Sequence, residues 1–293
     1  MDILILGGSG QLGQTVYREL KENFQTISFN KSQLSIINKK ELRNAINKYS
    51  PKFIINCSAY TKVELAETEK NKADAVNYIG IKNVCEIAQS NDIGLIHFST
   101  DYVFDGKKNS SYIEVDKAVP INEYGASKLR GENHILKNYD KFFIFRVSGI
   151  FSEHGDNFVK TMMRLKDRNE LSVVSDQLMK PSSASFIANF LSINLLKNNF
   201  TMSNVGLYHL TCSGLGISWF DFAKLIFQEM TEQKLITQGP KISPILSKNY
   251  ESSVIRPKFS VLSNDKVKEK FILPHGNYRQ NLEDELNRIY QSL

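Results

Sequence analysis

The segment Gly7-Gly8-Ser9-Gly10-Gln11-Leu12-Gly13 constrains this chain more than any other stretch. It follows the apolar run Ile3-Leu4-Ile5-Leu6 and opens an amphipathic stretch over 11–22. Glycine lets a backbone turn tightly and approach a pyrophosphate, and the helix that follows offers unpaired N–H groups and its positive dipole end to the phosphates. Such a pattern says little by itself, but it stands here at the first strand-to-helix turn of a longer alternation. Further short apolar runs lie at 26–29, 53–57, 95–100 and 142–147, separated by helix-patterned stretches at 39–49, 72–90 and 124–138. Each stretch is long enough for a right-handed crossover, so the alternation predicts an α/β fold with a doubly wound parallel sheet.

Beyond residue 150 the pattern loosens into helices near 155–167, 183–197, 218–231 and 279–292, with short strands at 171–174 and 207–210. This predicts a Rossmann-type NAD(P)-binding domain over 1–150 and a smaller, mainly substrate-binding lobe over 151–293, from which some segments return to the first domain. The lobe is expected to close over the carboxyl edge of the sheet, where ligands of such folds bind. With 41% hydrophobic and 23% charged residues among 293, disordered, collagen-like and coiled-coil chains are excluded. The net charge of +6 suits phosphate-bearing ligands, and the scattered lysines form no arginine-rich block, so no nucleic-acid partner is expected. The apolar stretch at 186–196 is interrupted by Asn189, Ser192 and Asn194 and is too short to span a bilayer. Cys57, Cys85 and Cys212 are odd in number and form no closely spaced pair, which reads as free thiols in a reducing, cytoplasmic compartment. The five histidines lack metal-ligand spacing, and His97 and His209 read as satisfied core side chains, so no metal is expected. Glu64, Glu67 and Glu69 read as a solvated helix face.

The end of the second strand should face an adenosine ribose, where an acid would select the 2′-hydroxyl of NAD. Asn30-Lys31-Ser32 stands there instead. A neutral amide beside a cation favours a 2′-phosphate, hence NADPH, with NADH as the alternative. Tyr-x-x-x-Lys spacing, which puts an acid and an ammonium on one helix face, occurs at Tyr17/Lys21, Tyr78/Lys82 and Tyr124/Lys128. Only the third pair begins the helix after the fourth strand, whose end carries Ser99-Thr100-Asp101-Tyr102, so Tyr124 and Lys128 are the expected pair, with Thr100 beside them.

Glycines 7, 10 and 13, the stretch Ser99-Thr100-Asp101-Tyr102-Val103-Phe104-Asp105-Gly106 and the stretch Tyr124-Gly125-Ala126-Ser127-Lys128 together resemble the extended short-chain dehydrogenase/reductases, and within them the dTDP-4-dehydrorhamnose reductase family. The resemblance runs through Asn56-Cys57-Ser58-Ala59-Tyr60-Thr61, Asn77, Arg146-Val147-Ser148, Asn157-Phe158, Asp176-Gln177, Gly206-Leu207-Tyr208-His209-Leu210 and Arg256-Pro257. It implies NAD(P)H-dependent reduction of a 4-keto-6-deoxy nucleotide sugar, feeding deoxysugar and polysaccharide synthesis. By the same resemblance Gly7, Gly10, Gln11, Leu12 and Gly13 form the pyrophosphate turn, Asn30 and Lys31 meet the adenosine ribose, and Ser35 and Ile36 the adenine. Ala59, Tyr60 and Thr61 meet the cofactor's middle, Thr100 and Asp101 the sugar, Tyr124 donates the proton, and Lys128 binds the nicotinamide ribose. Gly149, Asn157, Gln177 and Arg256 are the remaining expected substrate contacts.

The chain departs from the family's pattern in four places. A sugar-stacking tryptophan after Arg-x-Ser is Gly149 here, and Asp-Gln-x-Gly-x-Pro-Thr becomes Asp176-Gln177-Leu178-Met179-Lys180-Pro181-Ser182, with Met179 expected to fill the vacated space. A first-helix glutamate that bridges some family dimers through magnesium aligns with Thr15, which leaves a homodimer open but without that metal. Acids common after the second strand are Asn30, Ser35 and Asn38, in line with NADPH. Two rival readings of the same motifs are a nucleotide-sugar epimerase or dehydratase and a non-catalytic regulatory subunit. The intact Thr100, Tyr124 and Lys128 set argues against the second.

Overall fold

The computed structural model describes residues 1–293. Six parallel strands form one sheet: β1 (Ile3–Leu6), β2 (Thr26–Phe29), β3 (Phe53–Asn56), β4 (Gly94–Thr100), β5 (Phe142–Val147) and β10 (Gly206–His209), in the order β10-β5-β4-β3-β1-β2. These strands fall within about a residue of the runs expected from sequence, because each is a short β-branched or aromatic run ended by a polar or glycine turn. The chain leaves β1 toward β2 on one side and returns to β3 on the other, so the loops after β1 and β3 diverge and open a crevice between them.

Helices cover both faces. On one, α1 (Gln11–Leu20) and α8 (Ala184–Leu196) bury Val16, Leu20, Phe186, Phe190 and Leu191 against Ile5, Ile55, Phe143 and Phe145. On the other, α2 (Lys39–Tyr49), α5 (Ile81–Ser90) and α6 (Glu123–Asn138) bury Leu42, Ile46, Val84, Ile87 and Ile135 against Leu4, Ile54, Leu95 and Ile144. The helix expected near 72–90 is built from α4 (Lys70–Asp74), a π-helical stretch Ala75–Gly80, and α5. The short α3 (Val63–Ala66) precedes it.

From the second half of the chain, β10 takes the sheet edge beside β5, and α8 packs on α1. A third core lies in the remaining segments, where α7 (Phe158–Arg164), α9 (Trp219–Glu232) and α11 (Tyr278–Gln291) gather Met162, Met163, Phe222, Ile226, Leu282 and Leu286 around Phe151 and Met179. Two-residue strands β6 (Ile150–Phe151) with β9 (Ser182–Ser183) and β8 (Leu178–Met179) with β11 (Ile217–Ser218), and the pair β7 (Glu170–Val174) with β12 (Lys241–Ile245), tie this part together. The small α10 (Asp265–Lys270) contributes Val267 to the sheet core. No helix is long and apolar enough to cross a membrane.

Candidate active site

The crevice begins at Gly7, whose φ of +81° is left-handed and whose place a Cβ could not share, since it would lie 2.6 Å from the Ser58 backbone nitrogen. A Cβ on Gly13 would overlap the Gly7 carbonyl, so the turn folds back onto α1 only with glycine at both positions. The resulting cleft, about 270 Å³, is lined by Gly7, Ser9, Gly10, Lys31, Ser35, Ile36, Ala59 and Tyr60, together with Leu34, Ile37, Cys57, Ser58 and Val76. Its shape and donors suit a dinucleotide: small residues at the turn, an apolar slot around Leu34 and Ile36, and the Lys31 ammonium near the end of β2. Tyr60 is held from two sides. Asn77 of the π-helical stretch accepts the Tyr60 N–H at 2.9 Å and donates to the Tyr60 carbonyl at 3.1 Å and to Ser127 Oγ at 2.9 Å. Glu69 accepts the phenol at 2.7 Å, and its own carboxyl is held below the usual range by Lys72 and Tyr60. The π register thus puts an amide under the loop that lines the cleft, a common use of such bulges.

At the carboxyl end of β4, Thr100 and Asp101 are buried, and Asn122 caps α6 by accepting the Gly125 N–H at 2.8 Å. A Cβ on Gly125 would overlap the Tyr102 carbonyl, so glycine here lets the helix start touch the Thr100–Tyr102 turn. This brings Tyr124 beside Thr100, with its ring edge-on to Tyr102 at 5.9 Å. Burial raises the Tyr124 hydroxyl well above its ordinary value, and the Thr100 hydroxyl opposes that shift. Lys128, one turn on, is 2% exposed and donates to the Phe98 carbonyl at 2.6 Å. Burial pushes it down to about 8, with Glu132 and Cys57 working the other way. The other two Tyr-x-x-x-Lys pairs lie elsewhere: Tyr17 is exposed on α1, and Lys82 turns to Glu86.

Asp101 is saturated. Its Oδ1 accepts from Thr100 Oγ1 at 3.1 Å and its Oδ2 from Ser148 at 2.8 Å and Ser260 at 2.5 Å. Burial raises its carboxyl to about 6 against these three donors. Ser148 follows β5 directly, on the same sheet edge as Thr100, whereas nothing local marks Ser260. Gln11 and Asn157 spend their amides on each other and on backbone: Asn157 Nδ2 meets Gln11 Oε1 at 2.7 Å and the Ser152 carbonyl at 2.7 Å, and Gln11 Nε2 meets the Ile150 carbonyl at 3.1 Å. The Asn30 carbonyl oxygen is taken by its own turn, through Ser32 and Gln33. Leu12 points into the sheet core, Thr61 is exposed, and Gln177 is buried. Arg256 pairs with Glu64 beside Tyr102; burial opposes its charge, but Tyr102 and Glu64 hold it above the usual value. Gly149 has φ +51°, and a Cβ there would lie 3.1 Å from Met179 Sδ and 3.2 Å from the Pro181 Cα, so Met179 and Pro181 pack directly against this glycine.

Three further expectations are refined. Glu64 is exposed and Glu67 and Glu69 half-buried, as a solvated face requires, but each also has a partner: Arg256, the Glu123 N–H and Tyr60 respectively. His209 is satisfied, but His97 Nε2 has no partner, and Asn56 meets only its Nδ1, at 3.1 Å. Thr15 is buried on α1 with its hydroxyl on the Gln11 carbonyl at 3.1 Å, and no three acidic, histidine or cysteine side chains cluster as a metal site.

The description "RmlD substrate binding domain" matches residues 1–291. A dTDP-4-dehydrorhamnose reductase of Aggregatibacter actinomycetemcomitans is 37% identical over 287 residues, covering 96% of this chain and 97% of its own. The structure of a dTDP-4-dehydrorhamnose reductase from Bacillus anthracis in complex with NADP superposes with a TM-score of 0.89 at 34% identity, over 98% of this chain and 99% of that one. A UDP-glucose 4-epimerase of Thermus thermophilus, 15% identical with a TM-score of 0.79 over the whole of both chains, shares the fold alone. With the glycine turn lining a cleft at the carboxyl end of β1, with the Tyr124/Lys128 helix start set against Thr100 at the carboxyl end of β4, and with relatives matched end to end, the chain belongs to the dTDP-4-dehydrorhamnose reductase family.

Proposed function

We propose that this protein is an NADPH-preferring reductase of a 4-keto-6-deoxy nucleotide sugar, acting in the cytoplasm on the route to a surface polysaccharide. The observation that carries the reading is the meeting of Thr100, Tyr124 and buried Lys128 at the sheet's carboxyl edge, on the same edge as the cleft that opens at the glycine turn. Residues 1–150 supply the cofactor side and residues 151–293 mainly the sugar side, with β10 and α8 returned to the first domain. Gly7, Gly10, Gln11, Leu12 and Gly13 would hold the pyrophosphate through backbone, Lys31 the 2′-phosphate, Ser35 and Ile36 the adenine, and Ala59 and Tyr60 the middle of the molecule.

When bound, the dinucleotide supplies the hydride. The chain's own part is to orient and to handle the proton. The raised Tyr124 hydroxyl stays protonated at neutral pH and keeps its proton for the sugar oxygen as negative charge develops there. Thr100 would hold that oxygen from a second side by turning its one hydroxyl proton from Asp101 to the sugar, and Lys128 would hold the nicotinamide ribose while its charge stabilises the phenolate left behind. Asp101 aligns Thr100 through its hydroxyl and joins Ser148 to Ser260 at the floor of the sugar pocket. Incubation with NADPH and a panel of 4-keto nucleotide sugars tests the reading. Loss of reduced-nicotinamide absorbance with a 6-deoxy sugar is the expected result, and no oxidation with any of the panel contradicts it.

A further inference from the structure

Glu132 lies one turn beyond Lys128 on α6 and is wholly buried. Arg146 of β5, also buried, grips it with Nε at 3.0 and 3.2 Å from the two carboxylate oxygens and Nη2 at 2.7 Å. Arg146 in turn lies 5.0 Å over the Phe104 ring, and its Nη1 is 3.5 Å from His209 Nε2. Burial first, then Arg146, pushes His209 down to about 3, so the neutral ring accepts from Arg146 and donates from Nδ1 to the Tyr112 carbonyl at 3.1 Å. A buried ion pair contributes little over apolar packing of the same volume, so its position calls for another account.

That account is found at Lys128. The ammonium itself donates to the Phe98 carbonyl of β4, and the titratable groups near it are Glu132 one turn along its own helix, Cys57 after β3, His97 on β4 and, behind Glu132, Arg146 on β5. Burial pushes the Cys57 thiol up to about 12, and burial with Lys128 drives His97 well below its usual range, so both are uncharged at neutral pH. Asp101, the other nearby carboxylate, faces Thr100, Ser148 and Ser260. Glu132 is therefore the anion on the buried side of Lys128. We propose that Glu132 is a positioning residue of this active site: its carboxylate, oriented by Arg146, keeps the Lys128 amine charged inside the protein at the pH where the enzyme works. The proposal rests on the catalytic reading of Lys128 but is measurable apart from it.

The test follows the Lys128 amine by carbon-13 NMR of its Cε, identified by its absence in Lys128→Met, in the full chain without sugar. Glu132→Gln should move the Lys128 midpoint to lower pH by about one unit or more, the effect of losing a close opposite charge. The alkaline limb of kcat should shift with it, whereas KM changes little. Glu132→Asp should restore both. Since Glu132→Gln strands the Arg146 guanidinium and risks misfolding, the double variant Glu132→Gln/Arg146→Gln, which removes the pair as a unit, carries the test independently and should show an acid shift of the same sign but smaller, because the more distant cation is lost with the nearer anion. An unmoved midpoint in the double variant, with activity lowered equally at all pH values, would overturn the proposal and leave the pair a structural one. Full turnover by Lys128→Met, with the midpoint still moving in the Glu132 variants, would instead overturn the catalytic reading and leave the electrostatic link standing.

Discussion

On the cofactor wall of the cleft the shape is made by backbone: Gly7 against Ser58, Gly13 against Gly7, and the Tyr60 peptide clasped by Asn77. On the wall proposed to receive the sugar it is made by side chains that are already engaged with one another: Asp101 with Ser148 and Ser260, Arg256 with Glu64, Asn157 with Gln11, and Met179 against Gly149. A backbone-made wall tolerates few residues at a few positions and is specified within one turn of chain. A side-chain wall assembled from β4, β5, the 176–181 segment and the 256–260 segment changes its shape with each substitution. The comparison teaches where family membership ends and sugar choice begins.

The proposed catalytic pair, Tyr124 and Lys128, stands beside Thr100 between these two walls in the proposed reading, and its loss gives the largest expected effect. Tyr124→Phe and Lys128→Ala should each lower kcat by about 100-fold or more, the usual worth of a positioned acid. Tyr17→Phe and Tyr78→Phe, which carry the same spacing, should stay near the wild-type rate in steady-state assays. A control that fell as far as Tyr124→Phe would break the assignment of the junction.

Next come the walls themselves. Met179→Ala removes a buried thioether packed in the lobe core and should cost about 2–5 kcal/mol in chemical denaturation. It should also reopen the space at Gly149 and alter the ranking of sugars by kcat/KM. Gly149→Trp should lower both stability and activity, since its backbone is left-handed and even a Cβ there would crowd Met179 and Pro181. A stable, faster Gly149→Trp would mean that the sugar wall is not committed as described.

On the cofactor wall, Gly7→Ala should cost about 1–3 kcal/mol from its φ and weaken NADPH binding in fluorescence titration, with the sugar ranking unchanged. The smallest effect belongs to Lys31→Asp. A carboxylate beside a 2′-phosphate is worth about 1–2 kcal/mol at an exposed site, so the variant should bind NADPH roughly tenfold more weakly and NADH about as before. Equal wild-type affinities for the two cofactors would remove Lys31 from the cofactor wall.

The same contrast explains what could be read from the sequence. The strands of the main sheet, the glycine turn and the choice of Tyr124 over Tyr17 and Tyr78 follow from hydrophobic period and from position along an alternating fold, both local properties. The π-helical stretch was hidden because Asn77 fits an ordinary helix pattern; its reason is the Tyr60 peptide, 17 residues away. Ser260 joins Asp101 across 159 positions, and no local signal marks such a partner. Glu64, Glu67 and Glu69 have the spacing of a solvent face, and only the arrival of Arg256 and of the α6 start gives two of them partners.

The central claim is net reduction of the sugar, as opposed to the cofactor recycling of an epimerase or dehydratase on the same fold. It is tested most directly by a single turnover with NADPH deuterated at the transferring position and dTDP-4-dehydrorhamnose, followed by mass and NMR analysis of the sugar. The account predicts one deuterium on the carbon that carried the keto group, stoichiometric oxidation of the cofactor, and loss of both with Tyr124→Phe. A sugar that is epimerised or dehydrated while the deuterated cofactor is recovered intact would contradict it.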